Sequence, residues 1–415
     1  MKTGQWFRTW VFALDQPLYV KALALQADQA SEGPPFVLIT ADIIGFPRSL
    51  TEKIADGLKE RFQIPRENVL AIGSHTHTGP VLRDRLEGMY GLEGKNLETV
   101  NAYTDQLPGR ALEAVDAALK SMKPAQLSLG RGNATFAMNR RVFRRGGVTF
   151  GANPDGPANH EVSVLRLDNL DGSLRAVVFG YCCHCTTLRG DYYRINGDWA
   201  GYAQDFLERA HPGAMAFFAT GCGADADPQP NGTLDLARDH GLEMAGAVSQ
   251  ALTGPRVPIT GSLRAVFERV DVPFDKLPTR EEFQEKLKNP DPYVRRHAQR
   301  QLDTLDREGK LPTSYPFPIQ VWQFGKDLTL VALGGEVVVD YALRLKRELG
   351  GSGNLWVAGY ANDVFAYIPS VRILLEGGYE ADYAMVYYGL PTRFSKSLED
   401  ILIKKVHELV NRVRP

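Results

Sequence analysis

The chain has 415 residues, a formal net charge of −1 and 23% charged residues, so it carries no broad basic field of the kind that nucleic-acid recognition uses. Apolar residues make up 44%, with 40 glycines and 25 prolines, which suits a loop-rich α/β protein with a sizeable core. No stretch approaches the ~20 apolar residues of a membrane span, so no integral membrane segment is expected.

The opening Met1-Lys2-Thr3-Gly4-Gln5-Trp6-Phe7-Arg8 has no apolar signal segment. That predicts a cytoplasmic protein, or a secreted or periplasmic one if a leader has been removed. Residues 18–25 and 36–40 read as two strands joined by a polar turn. Asp42 follows the second and fits a helix cap or a partner of a ligating side chain. Leu50, Ile54, Leu58 and Phe62 recur at helical spacing, which predicts a helix from Ser49 to about Phe62. Residues 68–72 form the next strand, giving a β-β-α-β opening.

At the end of that strand stands Ser74-His75-Thr76-His77-Thr78-Gly79-Pro80. Alternation along a strand would project His75 and His77 to the same side, as two nitrogen ligands at a sheet edge. A solvated or core pair of histidines fits the same pattern.

A loop over 81–97 is expected to lead into a helix to Lys120, and 125–130 into a strand. Asn139-Arg140-Arg141, with further arginines at 144 and 145, reads as a solvated turn or an anion clamp. Residues 162–167 and 174–181 pair as a hairpin across Asp171-Gly172. The second strand delivers Cys182-Cys183-His184-Cys185. This spacing is wrong for a structural zinc site, so the thiols read as small buried hydrophobes and His184 as a candidate ligand. Asp198 is a plausible cap of a helix to Ala210. Residues 214–220 form a strand, and the loop after it carries Asp225 and Asp227, as caps or functional carboxylates.

Further on, a helix over 234–252, a strand over 261–273 and a charged helical insert over 278–311 are expected. The insert reads as a solvated face or a lid. Residues 319–324 and 328–333 pair, Gly334-Gly335-Glu336 opens a helix to Leu349, and the strand at 354–360 leads to Tyr367. His75, His184, Glu336 and Tyr367 thus all follow predicted strands, and imidazoles with a carboxylate suit zinc.

Taken with Asn139-Arg140, Asp198-Trp199-Ala200-Gly201-Tyr202 and Gly359-Tyr360-Ala361-Asn362, these motifs resemble the amino-terminal catalytic domain of the neutral, non-lysosomal ceramidase family. The resemblance runs in order over nearly the whole chain. It implies an α/β fold of mixed β-sheets layered with α-helices, and a single catalytic domain over 1–415 without the family's immunoglobulin-like carboxyl-terminal domain. It also implies Zn2+ held by His75, His184, Glu336 and Tyr367, with His77, Arg140 and Tyr379 binding substrate or stabilising the transition state. The family's Gly-Asp/Asn-x-Ser-Pro motif reads Ala224-Asp225-Ala226-Asp227-Pro228 here, so Asp227 stands in the serine's place. Asp227 is then a candidate general base, or a holder of a substrate ammonium or hydroxyl.

The expected activity is zinc-dependent hydrolysis of a C–N amide bond in a small amphiphilic or polar substrate, through a metal-activated water. The substrate is N-acyl lipid-like or a sugar. A zinc-dependent carbohydrate-active enzyme is the alternative, and a non-catalytic metal-binding protein the second alternative.

Overall fold

The structure is a computed structural model that describes residues 13–27, 33–351 and 354–415. The expectation about Met1 to Arg8 lies outside the described residues. Mixed sheets and helices alternate as expected. The opening sheet runs Val20–Leu25, Phe36–Ala41, Val69–Gly73; the first pair is antiparallel and the second parallel. Helix Arg48–Phe62 covers one face of it with Leu50, Ile54 and Leu58, and Gln63 ends the helix in the left-handed region at φ 57°.

A five-stranded sheet follows in the order Met215–Thr220, Leu174–Tyr181, Glu161–Asn169, Ala125–Asn133, Val257–Ile259. Helices Asp198–Ala210 and Leu234–Thr253 cover one face of it through Trp199, Leu207, Met244 and Val248, which pack on Val162, Val164, Phe179 and Phe218. A third sheet contains Leu263–Pro273, Ser314–Phe324, Leu328–Leu333 and Leu355–Ala358.

One apolar cluster joins all three sheets: Leu38 and Ile72 from the first, Val178 and Ala219 from the second, Trp322 and Trp356 from the third. Burying a side chain such as Ile72 contributes roughly 1.5–3 kcal/mol. The strand ends that carry the candidate ligands are therefore fixed by a shared core. The four cysteines are free and buried, and burial pushes the thiols of Cys183, Cys185 and Cys222 well up, as expected for small hydrophobes.

Several local readings change. The helix expected to open at Glu336 begins at Val339, because Gly335 takes φ 74° and turns Glu336–Val337 into a short strand parallel to Tyr367–Ile368. Arg140 and Arg141 lie in strand Ala137–Arg144 rather than a turn. Asp198 is the first helical residue rather than the cap. Its buried carboxylate accepts the N–H groups of Thr187, Leu188 and Trp199. Asp42 accepts from the Tyr19 N–H and from Gln204, while Pro47 precedes the helix.

The charged insert forms helices Arg280–Lys286 and Pro292–Glu308, opened by a Thr279/Glu282 capping box and by Asp291. Its Arg296, His297 and Gln301 bond backbone carbonyls of Gly88, Leu390 and Gly389. The insert thus braces the segment Met385–Tyr388. No helix among the described residues is long and apolar enough to cross a membrane.

Candidate metal centre and active site

His75 and His77 come together by a route that strand alternation does not describe. The strand ends at Gly73, and His75 sits in the left-handed region at φ 62°. A parallel bridge between Thr76 and Cys185 then lays the two histidine segments side by side. Thr76 and Thr78 anchor this turn by donating to the Asn196 carbonyl at 2.8 and 2.7 Å. His184 is held from behind: its N–H donates to Ala226 O at 3.0 Å, and its carbonyl accepts from the Trp199 indole at 2.8 Å.

The three imidazoles form one cluster. His77 Nε2 lies 3.0 Å from His75 Nε2, and one ligand nitrogen from each of His75, His77 and His184 falls within 4.8 Å of the others. His75 and His184 are buried and His77 is the exposed member. Glu336 Oε2 lies 3.1 Å from His75 Nε2 and 3.2 Å from His184 Nε2. The Tyr367 hydroxyl is 3.3 Å from His184 Nε2. All four residues expected to hold the metal are therefore brought together, with His77 among them rather than only beside them.

The donor set tests what belongs there. His75 Nδ1 sits 2.6 Å from Ile44 O, and His184 Nδ1 sits 2.8 Å from Gly223 O. A carbonyl only accepts, so each Nδ1 carries the proton and each neutral ring offers a lone pair at Nε2. Those lone pairs point at Glu336 Oε2, which is also an acceptor. Acceptors gathered on acceptors call for a cation, and the residues present fit a metal ion.

The surrounding charges agree. Burial and then Arg140 lower His184. Burial, followed by the charge of Glu336, pushes the phenol of Tyr367 well up.

Arg140 organises the other side. Its Nε donates to Glu380 at 2.9 Å, Nη1 to Asp227 at 3.1 Å, and Nη2 to the Tyr367 hydroxyl at 3.1 Å. The rings of Phe150, Tyr367 and Tyr379 stand 4.8, 5.6 and 6.0 Å from its guanidinium carbon. Asp227 Oδ1 also accepts from Thr186 at 3.2 Å, while Oδ2 has no hydrogen-bond partner among the described residues. Burial raises the Asp227 carboxyl, and Arg140 with His184 brings it below its ordinary value. Tyr379 lies in the short π-helical turn Tyr379–Tyr383, its ring 5.2 Å from that of Tyr367.

Sequence reasoning missed Tyr388, whose hydroxyl donates a short hydrogen bond to Glu336 Oε1, and Glu380, which accepts from both Arg140 and Arg141. Neither carries a local pattern. Tyr360, whose hydroxyl lies 3.4 Å from Glu336 Oε2, stood inside a quoted motif without a role.

Fold and site together define an α/β protein with a three-histidine cluster able to hold a metal ion. The chain belongs to the neutral/alkaline non-lysosomal ceramidase family: the model of that family's N-terminal region matches residues 12–251, more than half of the chain. The matched span contains His75, His77, Arg140, His184 and Asp227. Neutral ceramidase A of Dictyostelium discoideum is 25% identical over 222 residues, covering 50% of this chain and 31% of that protein. Neutral ceramidase B of the same organism is 27% identical over 186 residues, covering 41% and 25%.

The chain thus matches a third or less of the length of these relatives. Two solved structures share the fold. One is a ceramidase complexed with C2, at TM-score 0.71 and 17% identity over 96% of this chain and 70% of that one. The other is neutral ceramidase from Pseudomonas aeruginosa, at TM-score 0.70 and 18% identity over 97% and 70%.

Proposed function

We propose that this protein is a zinc-dependent hydrolase that cleaves the C–N amide bond of a small amphiphilic or polar substrate. The observation that carries this reading is the convergence of His75, His184 and Glu336 beside Arg140, with His77 at the open side. Membership of a ceramidase family supports the amide as the bond attacked. His75, His184, Glu336 and Tyr367 would hold the zinc, and zinc there supplies Lewis acidity to polarise a carbonyl and acidify water.

The chain's own groups do the rest. Three of the five N–H groups of Arg140 donate to Glu380, Asp227 and Tyr367, which leaves one on Nη1, beside His184, and one on Nη2 for a developing oxyanion. The phenol of Tyr379, pushed up by burial, remains a protonated donor across the neutral range. Asp227 is ionised and engaged through Oδ1, so its unpaired Oδ2 suits acceptance of a substrate hydroxyl or ammonium better than proton abstraction. His77, the exposed imidazole, is placed to orient the leaving amine.

Residues 1–415 act as one catalytic unit in this reading, because His75 and His184 come from the first half and Glu336 and Tyr367 from the second. The test is product analysis on N-acyl amines and on oligosaccharides, before and after metal removal. Release of a fatty acid and an amine, lost with the metal and restored by zinc, is expected. An unsaturated or reducing sugar instead would move the protein to carbohydrate chemistry, and stoichiometric metal without turnover of either class would make it a binding protein.

A further inference from the structure

Beside the site, strands Ala137–Arg144 and Gly147–Asn153 form a hairpin whose second strand is a sheet edge. The register pairs Phe143 with Val148 and Arg141 with Phe150. Directly opposed residues share a face, and so do residues two apart, so Arg141, Phe143, Val148 and Phe150 line one side. At its inner end this side is built into the protein: Arg141 is buried, and the Phe150 ring lies 5.0 Å from the Tyr379 ring. Outward it is bare. Phe143 is 61% exposed and Phe150 55% exposed, whereas most large apolar side chains of this chain are buried.

At the tip, Arg144 and Arg145 are exposed, and neither has an acidic partner among the described residues. Arg140 and Arg141, on the same strand, are by contrast paired with Glu380, Glu376 and Asp227. The outer hairpin is therefore an apolar strip ended by two free cations. A sugar platform would use Tyr or Trp, whose polar edges bond hydroxyls, and phenylalanine has none. Phenylalanine that sinks below a headgroup layer while arginine stays at anionic headgroups fits both features.

We propose that this hairpin docks the protein on an anionic lipid surface, with Phe143 and Phe150 inserted and Arg144 and Arg145 on the headgroups. Phe150 also touches the Arg140 and Tyr379 side of the site, so docking would place the site's mouth at the interface. The inference does not depend on which bond the enzyme cleaves.

The test is sedimentation with mixed phosphatidylcholine–phosphatidylglycerol vesicles and with phosphatidylcholine alone. The proteins compared are the full chain, Phe143→Ser, the double variant Arg144→Ser/Arg145→Ser, and Leu242→Ser as a control at an exposed position elsewhere. Wild type and the control should bind the anionic vesicles. Loss of both arginines should weaken binding on the order of thirtyfold and remove its salt dependence. Phe143→Ser should weaken it about tenfold.

Unchanged partition of the hairpin variants, equal loss in the control, or no binding by wild type would each overturn the proposal. So would a dimer lost in Phe143→Ser without vesicle binding, which would assign the strip to a second copy. Turnover of a water-soluble amide, measured beside it, judges the proposed activity separately: Phe143→Ser leaves it unchanged.

Discussion

His75 Nε2 lies 3.1 Å from Glu336 Oε2, and both side chains are buried. The two residues are 261 positions apart, and what sets their distance is the pair of short strands Glu336–Val337 and Tyr367–Ile368 laid against the His75 turn. A His75 ring whose single proton goes to Ile44 O has none to donate to Glu336. The relationship is the one that two ligands of a single cation would have.

Tyr388 should matter to that pair without touching the metal itself. Its hydroxyl bonds Glu336 Oε1 and so fixes which oxygen faces the histidines. Replacement by phenylalanine should weaken metal affinity roughly 10–100-fold, as loss of a ligand's outer hydrogen bond does. Competition against a chromogenic chelator measures this, and unchanged affinity would remove Tyr388 from the site.

Gly335 is a hinge that only glycine fits. Its φ is 74°, and a Cβ there would come 2.5 Å from Ile368 Cγ1 and 2.9 Å from Ala366 O. Gly335→Ala should cost roughly 2–4 kcal/mol, from left-handed backbone and overpacking together. Urea unfolding reads the cost, and metal binding should weaken in parallel because Glu336 and Tyr367 move apart.

These cases mark what was legible. The strands, most helices and the ligand candidates follow from apolar periodicity and from polar residues at strand ends, which are local signals. The short strand at Glu336 was read as a helix start, because its partner Tyr367 lies 31 residues on and nothing local announces the pairing. His75 and His77 meet by a route the sequence reading did not describe: the strand had ended, and a left-handed residue with a bridge between Thr76 and Cys185 brings them together. Tyr388 and Glu380 were invisible, since their roles exist only once distant segments meet.

Asp227 should not shape the pH–rate profile of the enzyme. Arg140 and His184 hold its carboxyl below the ordinary value despite burial, so any stability it contributes is present above the unfolded value and lost as pH falls through the folded one. Between about pH 5 and pH 9 it stays ionised. Asp227→Asn should therefore change the amplitude of kcat/KM and keep the shape of its pH profile. Disappearance of the acidic limb in the variant would restore Asp227 as a general base.

Asp225 behaves in the opposite sense. Burial raises its carboxyl to about 7, against the N–H of Val339, which lowers it. The folded state then holds a proton that the unfolded chain has released. The contribution is complete below about pH 4, where the unfolded carboxyl titrates, and is lost as pH rises through about 7. Stability should fall by up to roughly 4 kcal/mol between these limits, for a rise from 3.8 to about 7. Urea midpoints across that range check it, and Asp225→Asn should flatten the slope.

The central claim is the metal, and its content in the purified protein tests it most directly. Wild type supplied with zinc at neutral pH should hold about one zinc per chain. His184→Ala, which removes a ligand from the buried end of the cluster, should hold none. Wild type that remains metal-free, or a His184→Ala variant that keeps its zinc, would contradict the account.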